Sequence, residues 1–252
     1  MASKQAVKSS PFLAVALLVA ILCAAPSLAA ENLFIAAAAN FIRPLEELAK
    51  MYREEQGVRT TLSFGSSGKL YAQILQGAPY DIFLSADKER PFLLYGKGLC
   101  EPPFQYSAGQ VVLWSRYHHS ADSSWQDIIS EQVGKIAISN PETAPYGKVP
   151  RQTLHQLKLL KELQPYLVYG QSVGQTFLFA QSGAAEFGFI ALSQALSQEG
   201  QKGQYWPIPE SPPIEQWGCV IVHAKNQNLS QNFQSYLTEE PAQNIIRRHG
   251  YL

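Results

Sequence analysis

The sequence is poor in the residues that mark several large classes of protein. It has three cysteines and five histidines in 252 residues, and its 20 basic residues are matched by 20 acidic ones. Tight binding to nucleic acid depends on an excess of Lys and Arg, so this balance argues against a nucleic-acid partner. The histidines show no spacing typical of a metal site, so we expect no bound metal cation. They are His118, His119, His155, His223 and His249.

Long hydrophobic runs are missing beyond the first 25 residues. Lys4 and Lys8 precede an apolar stretch at 12–25, and Pro26 ends it before a series of small residues. This order is typical of a cleavable secretory signal, and the stretch is shorter than the roughly 20 residues of a membrane span. We predict a signal peptide at 1–30, cleaved near Ala29 or Ala30, and a periplasmic mature protein.

The predicted mature segment has little net charge and two cysteines. It keeps 18 basic and 20 acidic residues, so any bound anion would be held by local geometry and not by a positive field. Cys100 and Cys219 can bond in an oxidising compartment. A chain of this length also has enough core to fold without a disulfide, so both states remain open. Cys23 follows Leu22 and lacks the small neighbour expected at a lipid-attachment site.

The stretch FGSSGKLYAQILQGAPYDIFLSAD, at 64–87, has small hydroxyl residues between a strand and a helix but lacks two known motifs. A P-loop needs Gly where Ser63 stands and Ser or Thr where Leu70 stands. The G-x-S-x-G motif of serine hydrolases needs three residues between its glycines, and Gly65 and Gly68 are separated by two. The stretch therefore predicts neither a nucleotide loop nor a hydrolase nucleophile.

The chain alternates short apolar runs with helical patterns, which is typical of βαβ units and an α/β fold. Two lobes joined by crossing strands fit this order, each a mostly parallel sheet flanked by helices, with one lobe built from both ends of the chain. We predict a first lobe at 31–108 and 222–252 and a second lobe at 109–221. One helix is predicted over 149–163.

At least four of the predicted strand-to-helix junctions carry small or polar residues. In open α/β sheets, ligands bind at the carboxyl ends of strands, where helix N-termini converge. The first turn of a helix has unpaired N–H groups and a partial positive charge, so several such turns make an anion site without Lys or Arg. Ser66, Ser67 and Asn40 also fit a role as ordinary helix caps. The junctions are Ala39-Asn40, Ser66-Ser67, Pro145-Tyr146-Gly147 and Ser172-Val173.

Five stretches, in order, resemble the periplasmic molybdate-binding proteins of ABC importers. They are FIAAAANF, the stretch at 64–87, ISNPETAPYGKVPRQTL, YGQSVGQTFLFAQSGAAEFGFIALS and YLTEEPAQNIIRRHGYL. The resemblance covers essentially the whole predicted mature chain. Its most specific part is the run from Gly77 to Asp87.

The resemblance implies a type II periplasmic binding protein fold, with a tetrahedral oxyanion held in the cleft between the lobes by backbone amides and hydroxyls. Carried over by position, the contacts fall at Ala39, Asn40, Ser67, Tyr146 and Val173. Ala39 lacks the hydroxyl found in many relatives, and Asn40 offers an amide. A fifth position, Tyr in some members, is Ala191, so we expect the Tyr146 phenol to replace it.

The function implied is capture of molybdate or tungstate and delivery to a membrane permease, with no catalysis and no cofactor. We expect a monomer. A receptor for sulfate or another tetrahedral oxyanion remains an alternative. So do a secreted enzyme that uses Ser67 or Tyr146, and a sensory or interaction protein without transport. No His or carboxylate is placed by motif beside either residue, which counts against the enzyme.

Overall fold

Two five-stranded sheets, each flanked by helices, form the core of the structure. The computed structural model describes residues 32–118, 123–130 and 134–252, so the predicted signal peptide and its cleavage site lie outside it. The strands are β1 (Asn32–Ala38), β2 (Arg59–Gly65), β3 (Ile82–Ser85), β4 (Phe104–Gly109), β5 (Val111–Ser115), β6 (Ile136–Ser139), β7 (Leu167–Gly170), β8 (Phe187–Ala191), β9 (Gln204–Pro207) and β10 (Ile214–Val220).

The helices lie between these strands and after the last one. The α-helices are α1 (Ile42–Gln56), α2 (Ser67–Leu75), α3 (Glu89–Gly96), α4 (Trp125–Ser130), α5 (Pro145–Gln156), α6 (Leu160–Leu163), α7 (Val173–Ser182), α8 (Leu192–Ala195), α9 (Gln227–Thr238) and α10 (Glu240–Arg248). Short 3₁₀ turns are formed by Ala39–Phe41, Gln164–Tyr166 and Gly200–Lys202. No described helix has the length and apolar character needed to cross a membrane.

Both sheets are mixed, which corrects the expectation of mostly parallel sheets. The strand orders are β2-β1-β3-β10-β4 and β7-β6-β8-β5-β9. Three neighbouring strands in each sheet are parallel, and the other two pair antiparallel. The antiparallel strands β4, β5, β9 and β10 are the ones that carry the chain between the sheets, so they do not follow the βαβ pattern from which parallel pairing was predicted.

The chain crosses between the sheets twice. Only Gln110 separates β4, in the first sheet, from β5, in the second. The return crossing lies between β9 and β10. Because β10 pairs with β3 and β4, we propose that the second lobe ends before Ile214, where the sequence prediction had extended it to 221.

The inner strands β1, β3, β6 and β8 are apolar along most of their length because helices cover both faces of the sheets. All four residues of β3 and of β6 are buried, and so are all five of β8. Helix α1 buries Leu45, Leu48 and Tyr52 at helical spacing and ends at Gly57, whose φ of 70° is left-handed. The polar residues that follow β1 and β2 are therefore held at one edge of a rigid sheet.

The predicted helix over 149–163 is wrong in its bounds. Helix α5 begins four residues earlier, because Pro145 suits a first helical position. It ends at Gln156, and α6 follows after Lys158, whose φ of 62° is left-handed. The early start places Tyr146 in the first turn of α5.

Lys158 supplies a test of this break. A left-handed backbone costs roughly 1 kcal/mol for a residue with a Cβ and little for glycine. We expect Lys158→Gly to raise the free energy of unfolding in urea by about 0.5–1 kcal/mol. Lys158→Ala is the matched control, since it removes the charge and keeps the strain. Equal stability of the two variants would contradict the explanation.

Candidate functional site

Four helix starts, two from each sheet, meet at one small pocket. The 3₁₀ turn after β1 and helix α2 come from the first sheet, and α5 and α7 come from the second. The free space measures about 10 Å³ for the centre of a water-sized sphere, so the pocket suits a ligand of a few atoms. Its lining residues are Ala38, Ala39, Asn40, Gly65, Ser66, Ser67, Ala86, Ala144, Pro145, Tyr146 and Val173.

The lining contains no charged side chain. What it offers is the first turn of several helices, where N–H groups have no partner within the helix and carry the positive end of the dipole. A larger cleft of about 920 Å³ lies beside it and is lined by Lys, Arg, His, Asp and Glu. That cleft shares Ala86, Ala144 and Pro145 with the pocket, so we interpret it as the approach and the pocket as the binding site.

Ser67 is held as a hydrogen-bond donor towards the pocket. It is fully buried at the start of α2, and its Oγ accepts a hydrogen bond of 2.9 Å from the N–H of Ala86. A hydroxyl that already accepts has its own proton free to donate. The structure thus places Ser67 in the lining of the pocket, with its hydroxyl proton available to a further acceptor.

Asn40 lines the pocket, but its side-chain amide is used elsewhere. Nδ2 donates to Oε1 of Gln216 at 2.7 Å and to the hydroxyl of Tyr251 at 3.0 Å. Gln216 in turn donates from Nε2 to the carbonyl of Ile214, which fixes its Oε1 towards Asn40. This differs from the prediction of an amide donor for the ligand, and it leaves Asn40 only its backbone N–H to offer.

The backbone carbonyl of Asn40 accepts two further hydrogen bonds. The hydroxyl of Ser193 donates to it at 2.8 Å and that of Tyr251 at 2.7 Å. Ser193 comes after a strand of the second sheet, whereas Asn40 comes after a strand of the first sheet. The Asn40 carbonyl therefore links the two sheets. Sequence reasoning missed Ser193, Gln216 and Tyr251, which lie 153, 176 and 211 residues from Asn40. No local motif signals contacts over such separations.

Tyr146 is buried in the first turn of α5. Its hydroxyl lies against Gly109 at the first crossing, only 2.1 Å from where a Cβ on that glycine would stand. It makes no hydrogen bond of normal geometry within the described residues, although the Asn40 side chain lies near enough to oppose the rise of its pKa. Burial raises the pKa of the Tyr146 phenol well above 10, and the neighbouring phenols of Tyr251 and Tyr106 add to the rise. The phenol therefore stays protonated, as a donor requires.

Val173 and Ala191 are linked through Gln194. Val173 begins α7 after the capping residue Ser172, whose Oγ accepts from the N–H of Gln175. Gln194 donates from Nε2 to the Val173 carbonyl at 3.1 Å and accepts from the Ala191 N–H at 3.0 Å. Ala191 is not part of the pocket lining. That position thus supports the turn at Val173 from outside the pocket.

Further contacts join the two sheets beside the pocket. The N–H of Gly68 donates to the Thr143 carbonyl at 2.8 Å, and a Cβ on Gly68 would lie 3.0 Å from that oxygen. Arg90 donates to the Glu142 carbonyl at 3.3 Å, and Lys148 pairs with Glu89 at 3.6 Å. These contacts place α2 and α3 directly against the start of α5, beside the pocket.

The chain matches a known family along nearly all of its described length. The family model for bacterial extracellular solute-binding proteins matches residues 33–252. The chain belongs to this family. It is accordingly a solute-binding protein of the extracytoplasmic space, and the alternative of a secreted enzyme is set aside.

Individual relatives of this solute-binding protein agree with the assignment. The molybdate-binding protein ModA of Rhodobacter capsulatus is 35% identical over 228 residues, 89% of each chain. The molybdate-binding protein ModA of Azotobacter vinelandii is 34% identical, over 88% of this chain and 90% of its own. The solved periplasmic molybdate-binding protein of A. vinelandii superposes with a TM-score of 0.83 at 36% identity, over 87% of this chain and 98% of its own. The two-lobed periplasmic binding protein fold is thereby confirmed.

Two buried tyrosines provide a matched test of the site network. The Tyr251 hydroxyl accepts from the Asn40 amide and donates to the Asn40 carbonyl, whereas the Tyr146 hydroxyl makes no hydrogen bond of normal geometry within the described residues. Removing a paired buried hydroxyl costs about 1–3 kcal/mol, whereas removing an unpaired one costs little. We expect Tyr251→Phe to lower the free energy of unfolding of the ligand-free protein by that amount, and Tyr146→Phe to leave it unchanged or raise it. The reverse order in denaturant unfolding would refute the network.

Proposed function

We propose that the pocket binds molybdate and that the protein delivers this anion to the membrane permease of an ABC importer. The convergence of four helix starts on a small uncharged pocket is the observation that supports a small anion. The names of the relatives support molybdate among such anions. Molybdate is the transported ligand in this proposal and not a cofactor.

Hydrogen-bond donors surround the proposed ligand on all sides. Ala39 and Asn40 serve through backbone N–H groups, Ser67 through its backbone and hydroxyl, and Val173 through its backbone. Tyr146 serves through its backbone N–H, and its phenol is a further candidate donor, because burial keeps it protonated and its proton has no acceptor among the described residues. Each hydrogen bond to a charged ligand contributes about 1.5–3 kcal/mol, so a few such donors suffice without Lys or Arg.

The same lining discriminates among tetrahedral anions. Molybdate and tungstate are fully deprotonated at neutral pH and only accept hydrogen bonds, whereas hydrogen phosphate also has a proton to donate. No carboxylate lines the pocket to accept that proton. We therefore propose binding of molybdate and of tungstate and exclusion of phosphate. Sulfate, like molybdate and tungstate, requires hydrogen-bond donors, and it differs from them in size.

Ligand binding is proposed to favour the closed cleft. The first lobe supplies Asn40 and Ser67 and the second supplies Tyr146 and Val173, so an anion in the pocket is bound by both. A ligand that contacts both lobes stabilises the state in which they meet. We further propose that residues 1–30 are removed on export and that the mature protein acts as a monomer without nucleic acid.

Thermal unfolding of the purified protein tests the ligand. An anion present at about 100 times its dissociation constant adds roughly 2.7 kcal/mol to the stability of the folded state. We expect molybdate and tungstate to raise the melting temperature and phosphate to leave it unchanged. A shift with sulfate, and none with either metal oxyanion, would replace molybdate by sulfate as the ligand.

Ser67→Ala tests the role of the hydroxyl. The variant loses one charge-assisted hydrogen bond, so we expect molybdate affinity in calorimetric titration to fall about tenfold or more. Ser66→Ala is the matched control, because Ser66 also lines the pocket and its side chain makes no capping hydrogen bond. Equal losses of affinity in both variants would contradict a specific donor at Ser67.

The same titrations test the phenol of Tyr146. Lower molybdate affinity in Tyr146→Phe would assign the phenol to the ligand, and unchanged affinity would leave only the backbone of Tyr146 as a contact.

A further inference from the structure

We propose that Cys100 and Cys219 form a structural disulfide in the exported protein. Both side chains are buried in one small apolar cluster under the first sheet, together with Leu94 and Ile221. The cluster lies apart from the pocket lining. The proposal requires that two thiols distant in sequence are neighbours in the fold and that the chain meets an oxidant before they are buried.

The backbone brings the two cysteines to the same face of the first sheet. Cys100 forms an isolated antiparallel bridge with Ile221, the residue after β10. Hydrogen bonds flank this bridge, from the Val222 N–H to the Leu99 carbonyl at 3.0 Å and from the Glu101 N–H to the Val220 carbonyl at 2.8 Å. Side chains alternate along a strand. Cys219, two residues before Ile221, therefore points to the side on which Cys100 lies.

The two sulfur atoms are close in the structure. Both thiols are free in the structure, where Cys100 Sγ donates to the Pro91 carbonyl at 3.5 Å. Burial raises the pKa of the Cys219 thiol far above the usual range, and the neighbouring Cys100 thiol adds to the rise. Diagonal neighbours in a regular ladder are somewhat farther apart than a disulfide prefers. The pairing at Cys100 is a single bridge followed by a bend at Glu101 and is not part of a regular ladder, so the proposed bond requires a small local shift of this segment.

The chemistry is completed by a thiol–disulfide oxidase of the extracytoplasmic space. One cysteine thiolate attacks the disulfide of the oxidase and forms a mixed disulfide, which releases one oxidase thiolate. The second cysteine thiolate attacks the mixed disulfide, forms the Cys100–Cys219 bond and leaves the oxidase as a dithiol. Two protons leave the cysteines and two electrons pass to the oxidase. Because both thiols are buried in the folded chain, we place this exchange before the core closes.

The bond would close a loop that contains both crossings and the whole second sheet. Cys100 precedes β4 and Cys219 lies in β10, so strands β5 to β9 fall between them. A disulfide that closes a loop on the order of 100 residues restricts the unfolded chain strongly. It would therefore stabilise the base of the first lobe without touching the ligand.

Alkylation of the full chain, expressed with its own leader and exported, tests the bond directly. The protein is denatured in the presence of iodoacetamide, once without and once with prior reduction. Its tryptic peptides are then analysed by mass spectrometry. We expect one cross-linked pair that joins the peptides of Cys100 and Cys219, replaced by two alkylated peptides after reduction. Alkylation of both cysteines without reduction would overturn the proposal.

The effect on stability is measured against a variant that lacks both thiols. Loss of the bond should lower the melting temperature of the exported protein by roughly 10 °C when it is refolded with reductant. The Cys100→Ala, Cys219→Ala double variant serves as the control, and we expect it to melt at the same temperature with and without reductant. A reductant effect of equal size in that variant would show that the thiols are not its cause.

Discussion

The hydrogen bonds around Asn40 are the interactions on which the site depends. Its carbonyl accepts from Ser193 and Tyr251, and its amide donates to Gln216 and Tyr251. These partners come from helix α8, from the chain beyond α10 and from β10, so one turn is joined to three distant parts of the molecule. Because the turn also forms one wall of the pocket, the network fixes the direction of its N–H groups relative to the other helix starts.

A pocket built in this way selects its anion by the direction of its hydrogen-bond donors and not by charged side chains. The helix starts present partial positive charges that are already oriented, so an anion can replace its water shell without reorganising the protein. Ser67 shows the same principle on a smaller scale, because the bond that its Oγ accepts from the Ala86 N–H holds the hydroxyl in place and leaves its proton available to donate. A lysine in the pocket would attract any anion, whereas fixed donors favour one that accepts from every side.

Local patterns predicted the junctions well and the links between them poorly. The positions of Ala39 and Ser67 at strand ends followed from apolar runs and the residues that stop them, and the structure places both in the pocket. The use of Asn40 as a link could not be predicted, since Gln216 and Tyr251 are selected only when the fold brings them near. The left-handed Lys158 was missed for a different reason: lysine fits a helical pattern, and no Gly or Asn marks the end of the helix there.

The separation of Asn40 from Tyr251, 211 residues along the chain, has a consequence for biogenesis. A growing polypeptide can form β1 early, but the hydrogen bonds that hold the turn behind it are complete only when Tyr251 has been synthesised. The wall of the pocket that this turn forms is therefore completed last. Under the function and export proposed above, the chain would cross the membrane before it could hold its anion.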